Sequence, residues 1–171
     1  MNLLFAIAPE QFRDEELEIP RRIFKEAGIG VDIASTTPGM CTGMLGGAVE
    51  AIMSFNDVDP DDYAGIVVVG GIGSQDYLWV NKKLQALVRM FFEQGKVVAA
   101  ICLAPVVLAR AGILGGRQAT VYPSPAAVRE MKKAGANLVD VPVVADLQIV
   151  TANGPGAAAQ FANTIITKLE C

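Results

Sequence analysis

The sequence predicts an α/β protein of the doubly wound type, in which a mostly parallel central sheet lies between two layers of helices. Short apolar segments rich in Val and Ile alternate with longer amphipathic segments, an order typical of βαβ units. Hydrophobic residues make up 52% and charged residues 19% of the 171 residues, as expected when a sheet is covered on both faces. No linker, repeat or low-complexity segment divides the chain, so we predict one domain spanning 1–171.

The first half of the chain supplies three of the predicted strands. An apolar segment at 2–8 predicts a buried strand. A helix is expected over 14–28, because acids occupy its first turn, bases follow and a glycine marks its end. A second strand is predicted at 30–35, and the Gly-rich segment 36–54 favours a hairpin excursion. The apolar segment 64–71 predicts the third strand, which ends in two glycines.

The second half continues the alternation. Its helical segments are amphipathic or rich in Ala and Leu, most of them stop at a glycine, and Pro125 suits the first turn of one of them. Helices are therefore predicted at 81–95, 103–112, 124–135 and 156–170. Strands are predicted at 96–102, 118–122 and 141–152, the last with a turn near Asp146.

Charge and cysteine content exclude several classes of protein. A formal net charge of −4 argues against a nucleic-acid partner, and no Lys/Arg cluster indicates binding to an anionic membrane. The seven-residue apolar run from Leu3 to Pro9 is too short for a membrane span and lacks the basic start of a signal peptide. Three widely spaced cysteines do not form a disulfide framework, so a reducing cytoplasm is the expected compartment. With no histidine and no paired cysteine spacing, we expect no metal site and no cofactor.

Cys102 is the first candidate functional residue. It lies between a predicted strand and a predicted helix, at the edge of the sheet where parallel α/β folds bind ligands. The start of the helix, with Pro105 in its first turn, is expected to lower the pKa of the thiol and favour a thiolate. An inert, buried core cysteine explains the same stretch equally well.

Gly70 and Gly71 end the preceding strand. Their backbone N–H groups are candidates for an oxyanion site beside Cys102, although a tight strand-to-loop turn would explain the two glycines equally well.

Glu16 is the third candidate, because it lies on the predicted inner face of the first helix with apolar residues such as Ile19 and Ile23. Burial would raise the pKa of this carboxyl and let it donate a hydrogen bond to a thiolate. Alternatively, Glu16 is an ordinary first-turn acid that stabilises the helix dipole.

Four segments together resemble the DJ-1/PfpI (ThiJ) superfamily. They are EELEIPRRIFKEAGIGVDIAS, IVVVGG, VVAAICLAPVVLARAGILGGRQATVYPS and TANGPGAAAQFA, and they occur in the family's order over essentially the whole chain. The resemblance implies an intracellular, flavodoxin-like protein that forms a homodimer or a higher homo-oligomer.

The resemblance also implies roles for individual residues. Cys102 matches the reactive elbow cysteine, and Glu16 matches the glutamate that hydrogen-bonds its thiol. Gly71 and Leu103 would supply backbone N–H groups beside the sulfur. Three further residues, possible pocket residues, are Gly70, Tyr122 and Asn153; Asn153 belongs to a turn similar to a family loop near the cysteine.

This chain departs from the family's pattern at its histidines. The protease-like branch has His directly after the cysteine, where this chain has Leu103, and other members have His near the position of Tyr122. The chain contains no histidine at all, so neither one copy nor a homo-oligomer can form a Cys–His dyad. Glu16 is then the remaining candidate for proton transfer.

Two classes of function are left open, with a weaker third. The first is a glyoxalase-like or deglycase-like enzyme that acts on small reactive carbonyl compounds through Cys102 and Glu16. The second is a redox-responsive or chaperone-like stress protein in which an oxidant converts Cys102 to sulfinic acid. The third is a cysteine peptidase, which the missing histidine disfavours.

Overall fold

The computed structural model describes residues 1–171 and contains a central sheet of seven strands, in the order β11-β12-β8-β7-β1-β3-β6. The strands of the protein are β1 (Asn2–Ala6), β2 (Glu10–Phe12), β3 (Gly30–Ser35), β4 (Gly39–Gly43), β5 (Ala48–Ala51), β6 (Met53–Ser54), β7 (Gly65–Val68), β8 (Val97–Ile101), β9 (Gln118–Ala119), β10 (Asn137–Leu138), β11 (Val143–Asp146) and β12 (Ile149–Ala152). All neighbours in the central sheet are parallel except β11 and β12. The predicted flavodoxin-like fold class, with its mostly parallel sheet, is confirmed.

Five α-helices cover the sheet: α1 (Asp14–Glu26), α2 (Lys82–Glu93), α3 (Pro105–Arg110), α4 (Pro125–Lys133) and α5 (Ala158–Leu169). α1 packs with α5, while α2 packs with α3 and α3 with α4, which gives two helical layers.

Polar side chains cap the first turns of two helices, so the local sequence fixes where these helices begin. The side chain of Asn81 accepts a hydrogen bond from the Leu84 N–H at 2.9 Å, and that of Ser124 accepts one from the Ala127 N–H at 3.2 Å.

The order of the strands places a ligand site between β1, β7 and β8. From β1 the chain adds β3 and β6 on one side, and then crosses over to add β7, β8 and β12 on the other. The order reverses between β1 and β7, and a crevice forms at such a point beyond the carboxyl ends of the strands. The segments that follow β1, β7 and β8 therefore meet there, and they carry the three candidate features.

Four segments differ from the sequence prediction. The predicted strand at 118–122 is reduced to β9, which pairs with β10 outside the central sheet. The Thr120 N–H donates instead to Thr151 Oγ1 at 3.0 Å, so a side chain replaces a ladder bond there. The predicted helix at 103–112 shortens to α3, which begins at a proline suited to a first turn. The short β2 and a π-helix at Ser74–Leu78 were not predicted.

Other local predictions are confirmed. The segment 36–54 contains the antiparallel hairpin of β4 and β5. The turn predicted near Asp146 lies between the antiparallel strands β11 and β12, with Leu147 at φ 53°. One contiguous cluster of 54 buried apolar residues forms the core. No helix combines the length and the apolar character that crossing a membrane requires.

Candidate active site

Cys102 occupies a strained turn between β8 and α3. Its φ of 65° is in the left-handed region, which a residue with a Cβ rarely adopts. Backbone hydrogen bonds hold this conformation, because the Cys102 N–H donates to Ala152 O and the Tyr122 N–H donates to Cys102 O, both at 2.8 Å. Strain of this kind persists where surrounding structure enforces it, and it is concentrated at functional sites. Cys102 is buried, with 7% of its surface exposed.

Glu16 lies against Cys102, on the buried face of α1. The residue is fully buried, and neither carboxyl oxygen makes a hydrogen bond of standard geometry. Gly70 lies close to both side chains. A Cβ on Gly70 would come within 2.5 Å of Glu16 Oε1 and 2.7 Å of the Cys102 Cβ, so only glycine leaves room for this contact. The prediction that Glu16 points inward is therefore confirmed by its position.

The buried face of α1 differs in detail from the predicted one. It consists of Glu16, Leu17, Pro20 and Phe24, whereas the predicted members Ile19 and Ile23 are only partly buried. Phe24 stacks edge-on against Phe5 of β1, with ring centroids 5.8 Å apart. This contact fixes α1 on the sheet and so holds the carboxyl of Glu16 at the end of β7.

Burial dominates the electrostatics of the pair. It raises the pKa of Glu16 to about 8, against smaller lowering effects from the Cys102 thiol and the positive charge of Arg13. Burial, followed by the negative charge of an ionised Glu16, raises the pKa of Cys102 to about 12. When Glu16 is protonated it no longer repels a thiolate, so the two groups titrate as one coupled pair.

The expected lowering of the Cys102 pKa by a helix start is wrong. α3 is only six residues long and begins three positions after the cysteine, so its dipole is weak at the sulfur. Hydrogen bonds from backbone N–H groups of Gly71 and Leu103 do lower the pKa of the thiol, but burial outweighs them. The two residues predicted as backbone donors are thus brought to the sulfur.

Gly71 could not be another residue type without a backbone shift. Its φ is 107°, and a Cβ there would come within 2.5 Å of the Arg13 backbone N and 2.6 Å of Gln11 O. The neighbouring Gly70 O accepts a hydrogen bond from the Arg13 N–H at 2.9 Å. The glycine pair therefore joins the end of β7 to the start of α1, which brings the Cys102 and Glu16 segments together.

A cavity of about 380 Å³ opens beside the thiol. Its lining residues are Arg13, Met44, Gly71, Ile72, Cys102, Leu103, Tyr122 and Pro155. Two of the possible pocket residues do not line it: Gly70 lies behind the thiol, and the Asn153 backbone N–H donates to Pro142 O at 3.0 Å. Tyr122 does line the cavity, as predicted, and is 46% exposed.

Sequence reasoning missed Arg13, Met44 and Ile72 as lining residues, and within the predicted turn that contains Asn153 it is Pro155 that lines the cavity. The position of Arg13, directly before the helix that carries Glu16, was the available signal. Trp79 is buried, and its Nε1–H donates to Leu103 O at 2.8 Å. No three His, Cys, Asp or Glu side chains lie together in the arrangement of a metal site.

Comparisons with known proteins show which family the chain matches. Residues 1–168 match the model of the DJ-1/PfpI family. An uncharacterized protein of Methanocaldococcus jannaschii is 52% identical over 99% of this chain and 82% of its own. The deglycase PfpI of Pyrococcus furiosus is 38% identical over 91% of this chain and 92% of its own. YraA of Bacillus subtilis, named as a candidate cysteine protease, is 33% identical over 91% of this chain and 90% of its own.

Solved structures show the same fold. The crystal structure of a ThiJ/PfpI domain protein from Brachyspira murdochii superimposes with a TM-score of 0.95. It is 34% identical to this chain, and the alignment covers 99% of this chain and 96% of that one.

Proposed function

This chain belongs to the DJ-1/PfpI family, and from that premise we propose that it is a cysteine-dependent enzyme of the deglycase or glyoxalase type. Its substrates are small reactive carbonyl compounds and their adducts, Cys102 is the nucleophile and Glu16 is the acid/base. The observation that carries the proposal is the buried Glu16 carboxyl placed against the Cys102 thiol, in a space that only a glycine at position 70 leaves open. Archaeal relatives named deglycases, at 36–38% identity, support the same reaction class.

The reaction on an α-oxoaldehyde begins with addition of the thiol. An ionised Glu16 takes the proton of Cys102 as the sulfur attacks the aldehyde carbon, and it returns that proton to the aldehyde oxygen, which gives a hemithioacetal. N–H groups of Gly71 and Leu103 lie beside the sulfur, where they would stabilise negative charge during addition. A pKa of about 8 suits Glu16 to both accepting and releasing a proton near neutral pH.

Proton transfer between carbons completes the reaction. Glu16 removes the hydrogen of the former aldehyde carbon and delivers a proton to the neighbouring keto carbon, while the hydroxyl proton moves to the keto oxygen. The product is a 2-hydroxyacyl thioester on Cys102. Water hydrolyses this thioester to a 2-hydroxy acid and restores the thiol, so no external oxidant or reductant is needed.

Peptidase activity is less consistent with these residues. The chain has no histidine, and the position after the cysteine is an apolar Leu103 with 9% of its surface exposed. A peptide leaving group must be protonated by a general acid, which a Cys–His pair normally supplies. With no histidine in the chain, a general acid of that kind is absent.

Oxidation of Cys102 is the second candidate function. Two equivalents of peroxide would convert the thiol to a sulfinic acid with release of two waters. The observation that favours it is Glu16, since a protonated carboxyl with no other hydrogen-bond partner can donate to a sulfinate oxygen. Peroxide treatment followed by mass spectrometry would show two added oxygens on Cys102 ahead of the exposed Cys171.

Methylglyoxal turnover tests the enzymatic proposal. We expect the wild type to consume methylglyoxal and release lactate, Cys102→Ala to be inactive, and Glu16→Gln to lose roughly 10²–10⁴-fold in kcat/KM. Cys171→Ser, which removes an exposed thiol far along the chain, is the matched control and should keep wild-type activity. If the wild type turns over neither methylglyoxal nor its amino-acid adducts, or if Cys102→Ala stays active, the proposal is wrong.

A further inference from the structure

Arg13 is the one residue with a permanent charge among those that line the cavity beside Cys102. The other lining side chains are apolar except for the thiol and Tyr122. The positive charge of Arg13 reaches the reacting pair, because it lowers the pKa of Glu16 against the larger effect of burial. The backbone of Arg13 is also fixed, since its N–H donates to Gly70 O at 2.9 Å.

The guanidinium of Arg13 is only partly occupied by protein groups. Its Nε and Nη2 donate to the carboxylate of Glu15 at 3.1 and 2.9 Å, while Nη1 makes no hydrogen bond. The side chains of Arg13 and Glu15 are both about one-third exposed, so solvent screens their pair and a bound anion can compete for the guanidinium. Arg13 lines the cavity whereas Glu15 does not, so the guanidinium is the charged group that a ligand in the cavity can reach.

Apart from Glu15, the acids next to Arg13 do not pair with its guanidinium. The carboxylate of Asp14 accepts hydrogen bonds from the N–H groups of Leu45 and Gly47, at 2.7 and 2.8 Å. Burial favours the neutral form of Glu16. With a net charge of −4 the protein as a whole repels anions, so Arg13 creates a local exception beside the nucleophile.

We propose that Arg13 makes the cavity selective for carbonyl substrates that carry a carboxylate, which it binds while Cys102 attacks the carbonyl carbon. This substrate class rests on the proposed function. A volume of about 380 Å³ is within the range of small-molecule sites, roughly 300–1,000 Å³, and leaves room beyond a three-carbon aldehyde. A guanidinium can donate two parallel N–H hydrogen bonds to the two oxygens of a carboxylate. The apolar side chains of Met44 and Ile72 line the same cavity, and they strengthen such a contact because they lower the local dielectric constant.

Two alkylating reagents of nearly equal size test the anion preference without any turnover. Iodoacetate carries a carboxylate where iodoacetamide carries a neutral amide, and the rate of each at Cys102 can be followed by mass spectrometry. Relative to the wild type, we expect the iodoacetate-to-iodoacetamide rate ratio to fall roughly tenfold in Arg13→Gln. Glu15→Gln, which releases the guanidinium, should raise the ratio roughly two- to fivefold. Arg21→Gln is the control, because Arg21 is an exposed arginine of the same helix outside the cavity, and its ratio should equal the wild-type value.

A matched pair of substrates separates this inference from the proposed function. 4,5-Dioxopentanoate and its methyl ester share the reactive oxoaldehyde and differ in the carboxylate, and Arg13→Gln should lower the acid-to-ester ratio of kcat/KM roughly tenfold. If the alkylation ratio changes as expected but neither compound is consumed, the anion site stands and the proposed reaction fails. If the alkylation ratio stays within twofold of wild type in Arg13→Gln and Glu15→Gln, or Cys102 is not alkylated in the folded protein, the inference is overturned.

Discussion

At the scale of single residues, the site depends on one buried pair that shares its protons. Glu16 and Cys102 are both removed from water, and burial disfavours the charged form of each. Two negative charges this close would repel strongly, so the pair holds at least one proton over the neutral range. Glu16 can therefore exchange a proton with the sulfur of Cys102, whereas an ordinary surface glutamate cannot.

Glu16→Gln should shift the ionisation of Cys102 to lower pH. The charge of Glu16 raises the pKa of the thiol, and a neutral amide removes that effect, although burial remains. We expect the alkylation of wild-type Cys102 by iodoacetamide to be half-maximal above the value of about 8.5 for a free thiol, and the midpoint of the variant to be lower. Alkylation of Cys171 in the same samples serves as the internal control. An unchanged or higher midpoint would show that the two groups are not coupled.

Catalysis should depend on the ionised form of Glu16. Since the carboxylate is the base and its pKa is raised to about 8, only a minor fraction is ionised at pH 7. We expect kcat/KM for methylglyoxal to rise with pH and to level off above about 8, as measured by initial rates at constant ionic strength. A profile that is flat from pH 6 to pH 9 would contradict the assignment of Glu16 as base.

At the scale of elements, the site is made by the ends of three neighbouring strands. The strained Cys102 directly follows β8, Gly70 and Gly71 follow β7, and β1 leads through β2 into α1 and Glu16. Parallel strands bring their carboxyl ends to one edge, so segments distant in sequence meet without a long loop. The glycines matter because the backbone of Arg13 and the side chain of Glu16 approach β7 too closely for any Cβ.

Gly71→Ala should destabilise the protein and displace the site. The new Cβ would meet backbone atoms of Arg13 and Gln11, and a φ of 107° is strained for alanine. We expect a loss of roughly 1–3 kcal/mol in the free energy of unfolding, measured in urea, together with a change in the alkylation rate of Cys102. Gly156→Ala is the matched control, because a Cβ there meets nothing within 4 Å. Equal stability of the two variants would show that the turn tolerates a side chain.

At the scale of the whole molecule, the buried carboxyl links folding to pH. The apolar core is continuous, and Glu16 is the one carboxyl-bearing residue enclosed by it without a standard hydrogen bond. Its pKa changes from about 4.5 in the unfolded chain to about 8 in the folded protein. The folded state therefore binds more protons than the unfolded state between these values, so stability falls as pH rises through this window.

Replacing Glu16 should flatten the pH dependence of stability. Below pH 4.5 the protonated carboxyl contributes fully to stability, and that contribution is lost progressively until about pH 8. We expect the melting temperature of the wild type to fall by several degrees between pH 5 and pH 8, and that of Glu16→Gln to fall less. Glu18→Gln, which removes an exposed carboxyl of the same helix, is the control. Parallel curves for wild type and Glu16→Gln would contradict the linkage.

The sequence alone determined the fold class, because apolar periodicity, capping residues and glycine positions are local signals. The resemblance of four segments to the DJ-1/PfpI family indicated the family, which the match over residues 1–168 shows. The sequence also identified Cys102, Glu16 and Gly71, since each lies at the end or the start of a predicted element. Only the tertiary structure decided the sign of the thiol's pKa shift, because burial depends on what every other segment covers. The role of Arg13 in the cavity was missed for the same reason. The lining of a cavity depends on how the loops that follow different strands meet, and no single stretch of sequence contains that information.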